Sequence, residues 1–291
     1  MQYTQIVPYI MLLLAIIVAR WTPIRYAVRL ALVFVAAAVA AGLLSKALTP
    51  LAVIPICLLA LFIWIPGQFK PNKYLTAISY GLFIILALAL ANHLVPGFYN
   101  LPVFINEQLS VDSAPFNMYL NLDKPLIGIF IYLFYLKSRE TSSFTKNHGL
   151  TVVKVVGLLA TIMIPLALMI GYVRVDIKYP ELGWLWMLNN LFFVCLAEEA
   201  LFRGFIQNGF TRLFPKTPFF SYASIAVAAV LFGLAHYKGG PIYVALAAVA
   251  GLFYGFAYQK TNRLDAAVLV HFGFNTIHFL LFSYPNLQSL K

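Results

Sequence analysis

Long apolar runs alternate with short polar segments along almost the whole chain. We place these runs near residues 3–19, 30–47, 51–66, 75–92, 119–136, 152–172, 183–210, 218–237, 241–259 and 265–283. A helix needs about 20 apolar residues to cross the hydrocarbon core of a bilayer. Since the third run is short, the pattern predicts an all-α, polytopic helical membrane protein with about 8–10 transmembrane helices.

The composition supports a location in the membrane. Of the 291 residues, 62% are hydrophobic and only 10% are charged. The net charge of +11 comes mainly from alternate loops, such as the one holding Lys137 and Arg139, which is the positive-inside pattern. A nucleic-acid-binding protein would need a soluble basic face, so we expect the lipid bilayer and no nucleic acid as a partner.

The connection from His93 to Met118 is the longest predicted loop, and it is rich in proline and aromatic residues. We expect such a loop to fold back onto the membrane surface. A division falls near residue 124, because the spans before it hold almost no polar residues and those after residue 183 hold many.

Two adjacent carboxylates, Glu198 and Glu199, interrupt the apolar run at 183–210. An ionisable group at membrane depth costs roughly 3 kcal/mol or more and is usually functional. On an α-helix, Arg203 shares a face with Glu199, four residues before it, whereas Glu198 points about 100° away. We therefore predict that Arg203 pairs with Glu199 and that Glu198 has no charged partner, an asymmetry that suits an acid/base site.

Two further polar groups occur in the following apolar runs. Phe232 to His236 (FGLAH) ends one run just before the helix-stopping sequence KGGP. His271 and Asn275 (HFGFN) lie one helical turn apart, so both face the same side. A single histidine on an apolar helix is usually structural. Each of these polar groups would need its own polar partner in lipid, so a structural role for all of them is harder to support.

Three other polar residues lie near these groups. His278 shares the face of His271 and Asn275 and either lines a cavity or bonds to a neighbouring helix. Asn189 and Asn190 open the helix that carries the carboxylates, and we interpret them as helix-contact residues.

In this order, EEALFR, FGLAH and HFGFN resemble the EExxxR, FxxxH and HxxxN motifs of the CAAX-protease and bacteriocin-processing (CPBP, Abi) family of intramembrane glutamic endopeptidases. The resemblance covers roughly residues 183–283. It implies a catalytic transmembrane domain over 125–291 with its motifs within 198–275. Residues 1–124, with the long loop 93–118, are then N-terminal transmembrane helices of unknown role.

The resemblance implies a role for each motif residue. Glu198 would be the general base that activates a water, and His236 would hold this water and protonate the leaving amine. His271 and Asn275 would donate hydrogen bonds to the oxyanion. Glu199 and Arg203 would support the site. Independently of the resemblance, the helix stop HYKGGP predicts a polar, water-filled cavity among the C-terminal helices, and we place Phe232 and His278 in its lining. No metal and no other cofactor is implied.

The expected substrate is a peptide or a membrane protein, with or without a lipid modification, and the expected location is the cell membrane, as in a bacterial cytoplasmic membrane. Three alternatives stay open: a proton-coupled transporter, a catalytically silent binding partner and a zinc metalloprotease. Against zinc, HExxH is absent; against other intramembrane proteases, G-x-S-x-G and a pair of aspartates in the apolar runs are absent.

Overall fold

The computed structural model describes residues 3–69, 71–136, 143–214 and 217–288. The predicted inside loop with Lys137 and Arg139 lies outside these ranges. Within them, nine helices are long and apolar enough to cross a membrane. The predicted all-α, polytopic helical membrane protein is therefore confirmed.

The spanning helices follow the apolar runs closely. They are α1 (Tyr3–Trp21), α2 (Ile24–Leu44), α3 (Val53–Phe69, after a 3-10 turn at Pro50–Ala52), α4 (Lys73–Ala91), α6 (Lys146–Met169), α7 (Gly183–Leu213), α8 (Pro218–Ala235), α9 (Gly240–Thr261) and α10 (Leu264–Leu281). Polar residues cap several of them. The Asn72 side chain accepts hydrogen bonds from the first turn of α4, and Thr145 forms a capping box with His148 at the start of α6.

The predicted run at 119–136 does not form one continuous span. Residues up to 120 belong to a strand, and the helix α5 (Asp123–Ile131) begins only afterwards, continuing as a π-helical segment at Tyr132–Leu136. The prediction is therefore wrong at the start of this run, because the chain pairs with a second strand there rather than entering a helix.

The long connection contains two strands that the apolar pattern did not predict. Strand β1 (Leu101–Glu107) pairs with β2 (Phe116–Leu120) in a two-stranded sheet. Phe104 and Met118 from these strands form a buried cluster with Trp186 and Phe279. The Trp186 and Phe279 rings are stacked with their centroids 3.9 Å apart, so the sheet is anchored by aromatic packing.

Helix α7, which carries the two adjacent carboxylates, departs from regular α-helical geometry. It contains π-helical segments at Asn189–Cys195 and Ala200–Gln207, separated by four α-helical residues, Leu196–Glu199. It is also the most enclosed of the nine spanning helices. In its apolar stretch 56% of the residues are buried, against 17–39% in the other eight. A buried helix with π-helical insertions is typical of functional sites.

The chain divides into two compact units. Unit 1 comprises Met1–Leu101, Leu120–Thr141 and Phe192–Leu201, and unit 2 comprises Pro102–Tyr119, Ser142–Leu191 and Phe202–Lys291. The boundary predicted near residue 124 separates helices of unknown role from the expected catalytic domain, and it stays a prediction.

Candidate active site

In unit 2, helix α8 ends where the sequence FGLAH predicts a stop. His236 follows the last helical residue, Ala235, and the chain turns through a 3-10 segment at Tyr237–Gly239 before α9 begins. His236 Nδ1 lies 2.7 Å from the carbonyl oxygen of Phe232. Because a carbonyl can only accept, Nδ1 carries the proton, and in the neutral ring Nε2 is the hydrogen-bond acceptor.

A cavity of about 90 Å³ lies beside this turn, within unit 2. Four of the polar residues singled out in the sequence, His236, His271, Asn275 and His278, line it. The other lining side chains are mostly apolar or aromatic: Met163, Ile164, Ala167, Tyr172, Val173, Phe232, Tyr243, Leu246, Ala247, Ala250, Tyr254, Phe274 and Phe282. A cavity of this size has room for several water molecules among the polar groups.

Aromatic rings hold His271 in the cavity wall. Its ring is stacked on Tyr254 with a centroid distance of 4.5 Å, and the Phe232 ring meets it edge-on at 5.6 Å. His271 is 4% exposed. Tyr254 has no place in the three motifs and was not predicted from the sequence. The Tyr254 and Phe232 rings fix the plane of the His271 imidazole. A hydrogen-bond donor that must point in a defined direction needs such support.

Asn275 is held by the N-terminal part of α7. Its amide nitrogen donates to the side-chain oxygen of Asn190 at 3.3 Å, which agrees with the helix-contact role predicted for Asn190. His278 also lines the cavity, but its Nε2 donates to the carbonyl of Ser283 at 3.3 Å rather than to a neighbouring helix.

Two tyrosines complete the wall beside His236. The rings of Tyr172 and Tyr243 are stacked with centroids 6.4 Å apart, and Tyr243 meets His236 edge-on at 5.4 Å. Burial raises the pKa of Tyr172 to about 12. Its hydroxyl therefore stays protonated at neutral pH and can serve as a hydrogen-bond donor at the cavity wall.

Arg203 is fully buried in unit 2, where a glycine carbonyl and three aromatic rings surround it. Its Nη2 donates to the carbonyl of Gly251 at 2.9 Å. Its guanidinium carbon lies 4.5 Å from the Phe232 ring centroid, 5.3 Å from that of Tyr254 and 5.9 Å from that of Phe202. These cation–π contacts link the arginine of the first motif to the phenylalanine of the second.

A second hydrogen bond from an α7 side chain to a glycine carbonyl of α9 lies one helical turn further along. Gln207 Nε2 donates to the carbonyl of Gly255 at 3.0 Å, as Arg203 does to Gly251. A Cβ on Gly255 would lie 2.8 Å from Gln207 Oε1, so the spacing Gly251-x-x-x-Gly255 is what admits these side chains. A GxxxG pattern in an apolar helix is a signal for close packing, and it could have identified this contact from the sequence.

In unit 1, Glu198 has a cationic partner that the sequence analysis did not assign. Lys124 Nζ lies 2.5 Å from Glu198 Oε1, and the two side chains are 15% and 11% exposed. The prediction that Glu198 has no charged partner is therefore wrong. Its premise was local helical spacing, whereas Lys124 is 74 residues away in the sequence.

Glu199 belongs to unit 1 as well and is fully buried. Its predicted pairing with Arg203 assumed α-helical spacing, but the helix is π-helical from Ala200 to Gln207, where the turn is wider. The pairing stays a prediction.

The structure thus gathers Phe232, His236, His271, Asn275 and His278 around one cavity in unit 2. Glu198 and Glu199 are residues of unit 1, and their convergence with the cavity stays a prediction. Among the residues that the structure describes, no group of three or more His, Cys, Asp or Glu is arranged to hold a metal ion.

Comparison with known families matches residues 180–277 to the family described as type II CAAX prenyl endopeptidase Rce1-like. The matched range contains all three motifs, and the resemblance stated from the sequence is confirmed over this range. Searches of curated proteins and of solved structures gave no match.

Proposed function

We propose that this multi-pass membrane protein is an intramembrane endopeptidase that hydrolyses a peptide bond with a glutamate-activated water. The family match over 180–277 supports a protease, since it spans the three motifs that such chemistry would use. The observation that carries the proposal furthest is the cavity lined by His236, His271 and Asn275. A proton carrier and two hydrogen-bonding groups beside space for water are what amide hydrolysis requires.

In the proposed reaction, Glu198 accepts a proton as water attacks the carbonyl carbon of the substrate. A C–O bond forms, and the carbonyl oxygen becomes an oxyanion that His271 and Asn275 stabilise by donating hydrogen bonds. The C–N bond then breaks, and the proton that Glu198 took from water passes through His236 to the amine nitrogen. The products are a carboxylate and an amine, and no metal or redox cofactor takes part in the balance.

The tautomer of His236 supports its role. With Nδ1 bonded to the Phe232 carbonyl, neutral His236 presents Nε2 as an acceptor. It can then accept a hydrogen bond from water, take up at Nε2 the proton that Glu198 removed from this water, and deliver it to the leaving amine. A free imidazole would exchange tautomers, so the bond to Phe232 fixes which nitrogen reacts.

Glu198 and Glu199 take different roles in the proposal. The assignment of Glu198 as the base rests on the EExxxR motif within the matched range. Glu199 and Arg203 support the site, and the buried ring cage around Arg203 in unit 2 supports a structural task for the arginine.

We propose a peptide or membrane-protein substrate and a bacterial cytoplasmic membrane as the location. The mostly apolar cavity wall supports a substrate that presents apolar groups. The family description concerns prenyl substrates, so both prenylated and unmodified peptides belong in the test.

The test is peptide cleavage by the purified full chain, read by mass spectrometry with a library that contains both kinds of peptide. Glu198→Gln keeps the shape of the side chain but removes its basicity, so kcat should fall by at least about 10²-fold while substrate binding survives. Glu199→Gln is the matched control and should lower kcat less. Full cleavage by Glu198→Gln would remove the glutamate from the mechanism.

The same preparations separate the alternatives. A transporter or a silent partner predicts no cleavage by the wild type. A zinc metalloprotease predicts bound zinc that is lost in both Glu198→Gln and His236→Gln, together with recovery of activity when zinc is added back.

A further inference from the structure

We infer that Lys124 is a positioning residue for Glu198. This inference rests on the proposed function, in which Glu198 is the general base. Lys124 lies outside the three motifs and outside the matched range 180–277. Its ammonium group is nevertheless 2.5 Å from Glu198 Oε1.

This ion pair is partly buried, which makes it different from one on the surface. The side chains are only 15% and 11% exposed, so water competes little for either charge. Exposed pairs contribute little to stability, whereas breaking a pair that is shielded from water leaves an uncompensated charge. A charge-assisted bond in such surroundings fixes the direction of the carboxylate as well as its charge.

A second contact joins the same two segments. A Cβ placed on Gly128 would lie 2.9 Å from the Ala197 Cα atom, so the absence of a side chain lets α5 approach α7 closely. Lys124 and Gly128 are four residues apart and share one face of α5, and Ala197 directly precedes Glu198. The close backbone contact therefore sets the distance over which the Lys124 side chain reaches the carboxylate.

The start of α5 is itself anchored. Asp123, 1% exposed, accepts a hydrogen bond from the Lys124 backbone nitrogen at 2.9 Å, and its other oxygen lies 2.7 Å from His93 Nδ1. The Asn100 side chain accepts from the Leu122 backbone nitrogen at 3.1 Å. The backbone on both sides of position 123 is thus held in place, so Lys124 extends from a fixed point.

Such a fixed point matters for a general base. A glutamate side chain has several rotatable bonds, and a displacement of about 1 Å can cost about 10²-fold in rate. Lys124 restricts these rotations by holding Oε1, so in this role it acts through Glu198. Its loss should therefore affect the chemical step more than substrate binding.

The kinetic experiment compares Lys124→Met and Lys124→Arg with the wild type. We expect Lys124→Met to lower kcat by about 10- to 100-fold with KM changed less than about 2-fold, because the base loses its orientation. Lys124→Arg keeps the positive charge and should recover a large part of kcat. Lys73→Met is the matched control, since Lys73 is an exposed lysine of unit 1, and it should cleave like the wild type.

A thermal-unfolding cycle provides a readout that does not need activity. Lys124→Met and Glu198→Gln should each lower Tm, and the double variant should be more stable than the sum of the two losses predicts, because both charges are gone. If Lys124→Met alone does not fold, recovery of folding in the double variant gives the same evidence for the pair.

The outcomes are distinct. Wild-type kcat in Lys124→Met, or additive losses of Tm in the cycle, would overturn the positioning role. A fall in kcat that Lys124→Arg does not repair would also overturn it, because the cation would not be what matters. Absence of cleavage by the wild type would refute the proposed function and the catalytic purpose of Lys124, while the unfolding cycle would still decide whether the ion pair exists.

Discussion

The contacts around one charged side chain in each compact unit differ in kind. In unit 1, the carboxylate of Glu198 meets the ammonium group of Lys124, an opposite charge supplied by a residue 74 positions away. In unit 2, the guanidinium of Arg203 is surrounded by the Phe202, Phe232 and Tyr254 rings and bonds to the carbonyl of Gly251. The contact of Glu198 is an ion pair, whereas the contacts that Arg203 makes within unit 2 include ring faces and a backbone carbonyl.

This difference suits different tasks. A lysine is a compact point charge with rotatable donors, so it can hold the direction of a carboxylate without the planar fork of an arginine. A guanidinium stacked between rings is planar and fixed, which suits a group that supports its neighbours. In the proposed function these contacts accompany different roles, chemistry at Glu198 and support of the site by Arg203.

Arg203→Ala should have the largest effect on stability. It removes a charge-assisted bond to Gly251 and the cation–π contacts, each worth on the order of 2 kcal/mol in a buried site, so the free energy of unfolding should fall by about 3 kcal/mol or more. Arg203→Lys should recover only part of this loss, because an ammonium cannot stack as a guanidinium does. Denaturation in detergent measures both.

Arg212→Ala is the control for this comparison. Arg212 lies on the same helix and is exposed, and its Nε donates to Asn208 Oδ1 at 2.8 Å. Its loss should change the free energy of unfolding by less than about 0.5 kcal/mol. Equal losses in the two variants would show that the ring cage contributes nothing specific.

Glycine substitutions sharpen the comparison between the units. In unit 1 a Cβ at Gly128 would meet backbone, 2.9 Å from Ala197 Cα, whereas in unit 2 a Cβ at Gly251 would meet the end of a side chain, 3.0 Å from Arg203 Nη2, and Ala229 Cα at 3.1 Å. Overpacking of this kind costs typically about 1–3 kcal/mol. We expect both alanine variants to lose stability.

Activity should separate the two variants. For the same loss of stability, Gly128→Ala should lower kcat more than Gly251→Ala does, because it shifts the segment that carries Glu198. Gly81→Ala is the control, since a Cβ there would meet nothing within 4 Å. If Gly251→Ala lowered kcat more than Gly128→Ala at equal folded fraction, the division of tasks between Glu198 and Arg203 would be wrong.

The sequence predicted well what depends on local pattern. Apolar runs predicted the spanning helices, because a helix in lipid must satisfy its own backbone hydrogen bonds. The FGLAHYKGGP stretch predicted the end of α8 beside His236, since glycine and proline there stop the helix. The positions of His236, His271 and Asn275 at one cavity follow from motif spacing combined with these helix ends.

What the sequence did not predict depends on contacts between distant segments or on altered helical geometry. The Lys124–Glu198 pair joins two separate helices, and no periodicity within either of them encodes it. The π-helical segments of α7 change which residues share a face, so arguments from α-helical spacing lose their basis there. The two strands were missed because short strands give a weak signal beside long apolar runs.

The smallest predicted effect concerns an ion pair in unit 2 that is more exposed than Lys124–Glu198. Asp176 Oδ2 lies 3.1 Å from Lys178 Nζ, and the Asp176 side chain is 36% exposed. A hydrogen bond from Ser110 and the neighbouring Lys178 hold the pKa of Asp176 below its usual value, although partial burial opposes them. Because the folded-state pKa is depressed, the carboxylate stabilises the fold above the unfolded pKa of about 4, and this stability is lost as the pH falls through the lower folded-state value.

Asp176→Asn should therefore flatten the acid side of the curve of Tm against pH and leave neutral-pH activity unchanged. Solvent screening at a side chain this exposed limits the contribution to a few tenths of a kcal/mol. Glu181→Gln, which removes an exposed carboxylate nearby, controls for the change in net charge. A loss as large as that of the Lys124–Glu198 pair would show that burial does not distinguish the two ion pairs. If the acid side of the curve of Tm against pH were unchanged in Asp176→Asn, other carboxylates would cause the pH dependence of Tm.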